Sequence, residues 1–110
     1  MKVLIAEDDP NTREGLRDIL ETEGYEVRTV PDGQKALETY RVEKPQVLCL
    51  DIMMPQVNGY DVCREIRRTD SRTPILFISA KSEEIDKVLG LEIGADDFIV
   101  KPFGVQEVIA

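Results

Sequence analysis

The chain has 110 residues, 42% of them hydrophobic and 33% charged, and its 14 basic against 22 acidic side chains leave a net charge of −8. This is the size of one globular domain with a single core, and it lacks the Lys and Arg excess that binding a phosphate backbone requires. The apolar runs are four or five residues long (Val3 to Ala6, Val47 to Leu50, Ile75 to Ile78), far below the ~20 that cross a bilayer. The start has no secretory leader pattern, so a soluble, cytoplasmic chain with no membrane or direct nucleic-acid contact is expected. Histidine is absent, which removes the usual general base and the commonest zinc ligand. Cys49 and Cys63 fall in an apolar run and a helical pattern and read as small buried hydrophobes, without a disulfide or metal role.

Short apolar runs alternate with amphipathic segments, the pattern of a parallel sheet covered by helices on both faces, and five such units are expected. The first strand spans Val3 to Ala6, and Asp9 with Pro10 marks the start of a helix that buries Leu16, Ile19 and Leu20. Gly24 ends that helix. Tyr25 to Val30 interleaves apolar residues with Glu26 and Arg28, which suits an edge strand. Asp32 caps a second helix reaching about Val42, Pro45 stops it, and Val47 to Leu50 forms a central strand. A loop from Asp51 to Val57 leads to a helix opened near Asn58-Gly59, with Val62, Cys63 and Ile66 on its buried side. Pro74 introduces the fourth strand, which ends at Ile78. A helix from Ser82 to Ile93, a short strand from Phe98 to Val100 and the beginning of a helix from Phe103 complete the pattern. The chain reads as one α/β domain, with its fifth helix cut short at Ala110.

The residues just beyond the carboxyl ends of four strands are Glu7-Asp8-Asp9, Asp51, Ser79 and Lys101. In an open parallel sheet of order 2-1-3-4-5 these ends meet at one crevice, and the order reverses between strands one and three, which sets the first acids against Asp51. Carboxylates gathered there either take up protons or hold a cation. All-oxygen ligation suits a hard ion such as Mg²⁺, with Glu7 and Asp8 as ligands, whereas Asp9 is accounted for as a helix cap. Lys101 could be an ordinary surface lysine, but Pro102 after it constrains its backbone, and a fixed ammonium there would pair with a phosphoryl oxygen. The Ser79 hydroxyl can donate to the same oxygen or serve only as a strand-end serine. An aspartate, a magnesium ion and a lysine make a phosphoryl-transfer site, with Asp51 as the nucleophile.

Glu7-Asp8, the run Asp51-Ile-Met-Met-Pro55 with Gly59 following, Ser79-Ala80 and Lys101-Pro102-Phe103, in this order and spacing, resemble the receiver domain of bacterial two-component response regulators over all 110 residues. The resemblance implies a flavodoxin-like, doubly wound five-stranded sheet, a phosphoryl group accepted on Asp51 from a sensor histidine kinase, and Mg²⁺ (or Mn²⁺) held by Glu7, Asp8, Asp51 and the backbone carbonyl of Met53. It further implies that Ser79 and Lys101 bind the phosphoryl group and that Phe98 is the aromatic partner of Ser79 in a conformational switch. Two positions are variants of the family pattern. Glu7 replaces the commoner aspartate, and Phe98 replaces tyrosine, so that switching rests on packing without a hydroxyl.

The run from Gly90 to Phe98 resembles more narrowly the transcription-factor subfamily whose receivers dimerise through the fourth helix, fifth strand and fifth helix. That likeness implies a homodimer on phosphorylation, with Lys87 and Glu107 paired across it and Asp96 and Asp97 facing basic partners later in the fifth helix. The expectation is an output domain missing from this chain and a dimer weakened by truncation. The competing enzyme reading, a Mg²⁺-dependent phosphohydrolase with an aspartyl nucleophile, would want an acid–base carboxylate two residues after Asp51, where Met53 stands. A binding module that is never phosphorylated is the third reading. Under the leading one the chain is not a turnover enzyme, apart from slow self-catalysed loss of the phosphoryl group.

Overall fold

The computed structural model describes residues 1–52, 54, 56–79 and 97–100. In chain order the elements are β1 (Lys2–Ala6), α1 (Pro10–Thr22), β2 (Glu26–Val30), α2 (Gly33–Glu43), β3 (Val47–Asp51), α3 (Gly59–Arg67), β4 (Ile75–Ser79) and β5 (Asp97–Val100). The strands form one sheet of order β2-β1-β3-β4-β5, and every neighbouring pair is parallel. The flavodoxin-like topology, the edge position of β2 and the central position of β3 agree with the sequence reading. The expected helices from Ser82 and from Phe103 lie outside the described residues.

Alternation along the strands divides the core in two, because successive side chains leave a strand on opposite faces. Leu4, Ala6, Leu48, Leu50, Ile75 and Phe77 pack with Ala36 of α2 and with Val62, Cys63 and Ile66 of α3. Val3, Ile5, Cys49 and Ile78 on the other face meet Leu16 and Leu20 of α1. The Tyr60 ring adds an edge-to-face contact on Phe77, with centroids 5.2 Å apart. Both cysteines are free and buried, and burial pushes the Cys49 thiol up to about 12. No helix among the described residues is long and apolar enough to cross a membrane.

Local signals explain the boundaries. Asp9, Asp32 and Asn58 cap the three described helices, accepting from the amides of Asn11 and Thr12, of Lys35 and of Asp61 respectively. α2 runs one residue past the expected Val42, because Lys44 takes the left-handed conformation (φ 49°) and closes the last turn through its amide on the Tyr40 carbonyl. Tyr25, expected to begin β2, instead donates its amide to the Leu20 carbonyl and closes the turn that follows α1. β3 and β4 each extend one residue beyond the expected end, to Asp51 and Ser79.

Candidate functional site

The site stands at the carboxyl edge of β1 and β3. The Glu7 amide donates to the Val30 carbonyl at 3.1 Å, which extends the β1–β2 ladder one residue past Ala6 and keeps Glu7 inside, 0% exposed. Its carboxylate Oε2 accepts from the Asp9 amide at 3.2 Å, and its carbonyl accepts from Arg13 Nη1 of α1 at 2.9 Å. Asp8 is exposed, and Asp9 is occupied as the α1 cap, bonded also to the Thr12 hydroxyl at 2.6 Å. The Arg13 tie was not visible in the sequence, since a helix-surface arginine carries no mark of the carbonyl it reaches.

Asp51 ends β3, 4% exposed. Its backbone is closely held: the Ile52 amide donates to the Ile78 carbonyl at 3.1 Å, and the Gly59 amide donates to the Ile52 carbonyl at 3.0 Å. A methyl group on Gly59 would lie 2.4 Å from the Asp51 carbonyl oxygen, so only glycine lets α3 start this close to β3.

One carboxylate oxygen each from Glu7, Asp8 and Asp51 lie within 4.8 Å of one another. Two such charges repel by about 3 kcal/mol at an effective dielectric of ~20, and by less where exposed Asp8 is a partner. A divalent cation would offset that repulsion. The donor set is all oxygen and partly buried, without imidazole or thiolate, and it fits a hard ion such as Mg²⁺.

The other expected site residues divide by position. Ser79 is the last residue of β4, opposite Val100, and its strand is the neighbour of β3, in which Asp51 pairs with Ile78. Phe98 lies opposite Phe77, and Asp97 is the first residue of β5, opposite Leu76. Met53, Lys101, Lys87, Asp96 and Glu107 lie outside the described residues.

A family model described as "Response regulator receiver domain" matches residues 3–110. The chain belongs to the response regulator receiver domain family. This receiver is 45% identical over 109 residues to the alkaline phosphatase synthesis transcriptional regulatory protein PhoP of Bacillus subtilis, covering 99% of the chain and 45% of that protein. To the DNA-binding response regulator MtrA of Mycolicibacterium smegmatis it is 43% identical, covering 99% and 47%. The receiver thus spans less than half the length of these curated relatives. Among solved structures, the BeF3-activated N-terminal receiver domain of RstA from Klebsiella pneumoniae superposes with a TM-score of 0.94 at 30% identity, covering 99% of this chain and 92% of that one. The chemotaxis response regulator CheY4 of Vibrio cholerae gives 0.93 at 30% identity, covering 98% and 92%.

Proposed function

We propose that residues 1–110 form one receiver domain that works as a phosphorylation-activated switch in transcription regulation, with Asp51 as the phosphoacceptor. The observation that carries this reading is the convergence of Glu7, Asp8 and Asp51 within 4.8 Å at the carboxyl edge of adjacent strands. The chain has no histidine, so a phosphohistidine donor must come from a partner, a sensor histidine kinase. An Asp51 carboxylate oxygen attacks phosphorus, a P–O bond forms as the donor's P–N bond breaks, and the leaving imidazole takes a proton from solvent. Glu7, Asp8, Asp51 and the Met53 carbonyl would hold Mg²⁺, which would supply charge neutralisation at the transferring group. Ser79 donates a hydrogen bond to a phosphoryl oxygen, and Lys101 pairs with another.

The new dianion biases a two-state element made by Ser79 and Phe98, and the surface around the fourth helix, β5 and the fifth helix changes with it. That surface carries Lys87, Asp96, Asp97 and Glu107 and forms the homodimer that signals to an output domain. Water hydrolyses the acyl phosphate slowly and resets the switch in the cytoplasm. Met53 supports a switch over a phosphohydrolase, since no carboxylate stands two residues after Asp51 to activate water.

Incubation with Mg²⁺ and acetyl phosphate, followed by intact mass, tests the reading. The expected result is one added phosphoryl group, lost when Mg²⁺ is omitted and absent from Asp51→Asn. A folded, Mg²⁺-binding protein that gains no adduct would overturn it.

A further inference from the structure

The segment that follows Asp51 is held by two glycines, one of them remote in sequence. Gly59 opens α3 against the Asp51 carbonyl, as described above. Gly33 opens α2, and a methyl group there would lie 1.8 Å from the Val57 carbonyl oxygen and 2.7 Å from its carbon. The obstacle is backbone, which cannot swing aside as the end of a side chain can. A residue with a Cβ at position 33 must therefore displace either the start of α2 or the loop at Val57.

α2 is the better anchored of the two. Asp32 caps it through the Lys35 amide at 2.8 Å, and Ala36 is fully buried in the core shared by Leu4, Leu48 and Val62. The loop turns through exposed Gln56 in the left-handed region (φ 67°), and Val57 is only partly buried. Displacement at Val57 passes two residues on to Gly59, which touches the Asp51 backbone.

We propose that Gly33 is a positioning residue for the phosphoacceptor site: its missing side chain seats the Val57 carbonyl against α2, and this seat sets Asp51 relative to Glu7 and Asp8. The inference rests on the phosphoacceptor reading above. Gly33 itself touches neither cation nor phosphoryl group.

Calorimetric titration with Mg²⁺, acetyl phosphate labelling followed by intact mass, and urea unfolding without Mg²⁺ test it on the 110-residue chain. Gly33→Ala should weaken Mg²⁺ binding by roughly 10–100-fold, the range for lost ligand support, and slow labelling by a similar factor. Gly15→Ala, where a methyl group meets nothing within 4 Å, should match the parent in both. Val57→Gly keeps the carbonyl but removes the side chain that packs the loop on the core, which frees that carbonyl to leave Gly33; it should also weaken Mg²⁺ binding, and the double variant should be no worse than Gly33→Ala alone. Parent-like Mg²⁺ affinity and labelling in folded Gly33→Ala, with a loss confined to urea stability, would show that α2 moves instead and overturn the proposal. Should Gly33→Ala not fold, Val57→Gly decides by itself, parent-like affinity overturning the proposal. A parent that takes no phosphoryl group would instead remove the phosphoacceptor reading.

Discussion

The three clustered carboxylates set stability against function at single residues. Because Glu7, Asp8 and Asp51 lie within 4.8 Å of one another, removing one charge relieves repulsion in the metal-free protein and, under the proposed function, removes a ligand from the metal-bound one. Asp8→Asn is therefore expected to raise the melting temperature in EDTA and to lose most of the gain that Mg²⁺ gives the parent. Paired calorimetric scans check both signs, and a variant less stable than the parent in EDTA would refute the electrostatic account. A second residue cluster lies away from these three carboxylates. Asp70 accepts from the Thr73 and Tyr40 hydroxyls and from the Arg72 and Thr73 amides, bonds that hold its carboxyl well below the usual carboxylate range. Burial, together with the Asp70 partner, pushes the Tyr40 hydroxyl up to about 12. For Asp70 the folded value is the lower one, so its contribution is present above the unfolded value of about 3.9 and is lost as pH falls through the depressed value. Tyr40 has the opposite sign: its contribution is complete below about 10 and is lost as pH rises through the raised value. Tyr40→Phe should thus lower stability at neutral pH and flatten both limbs of the stability curve, the alkaline one because the raised hydroxyl is gone and the acid one because the Asp70 carboxyl is held less far below its unfolded value, which urea midpoints across pH would show.

At the scale of elements, helix ends matter more than helix propensities. Asn58 accepts the Asp61 amide at 2.9 Å and caps a helix of 9 residues, α3, too short to persist without packing. Asn58→Ala should cost about 1 kcal/mol in chemical denaturation. Gly15 and Gly24 separate two uses of glycine. Gly15 lies inside α1 with open space around it, and Gly15→Ala should stabilise by about 0.5–1 kcal/mol. Gly24 turns the chain from α1 toward β2 at φ 94°, so Gly24→Ala should destabilise by about 1 kcal/mol or more. Equal effects at the two positions in urea titrations would contradict the dihedral explanation. The edge strand β2 is guarded by charge: Arg28 bonds Glu43 at 2.8 Å and Glu26 at 3.2 Å, which keeps solvated side chains along the open side of the sheet.

Over the whole molecule, the sheet order turns separate segments into a site. Glu7 and Asp51 are remote in sequence but become neighbours because β1 and β3 pair directly, Ala6 opposite Leu50. A bound cation links this convergence to global stability, since a ligand present at 100 times its dissociation constant adds about 2.7 kcal/mol. The melting temperature should accordingly rise with Mg²⁺ concentration in the parent and stay nearly flat in Asp51→Asn. An identical rise in both proteins would show that the cation binds elsewhere.

Much of this was legible in the sequence because its signals are local. Apolar runs and caps marked the described strands, α1, α2 and the start of α3 to within one residue, and strand-end positions marked Glu7, Asp8 and Asp51, since a strand's period and a helix's first turn are set by near neighbours. Contacts between distant backbones were not legible. The Arg13 bond to the Glu7 carbonyl, the Tyr40 clasp on Asp70 and the seat of Val57 on Gly33 depend on how elements pack, which residue type alone does not encode. The sequence by itself determined the alternation of elements and the acidic residues at their ends. Only the tertiary structure decided how closely those carboxylates approach and which glycines make room for it, because separations of a few ångströms between remote segments arise from packing the whole chain.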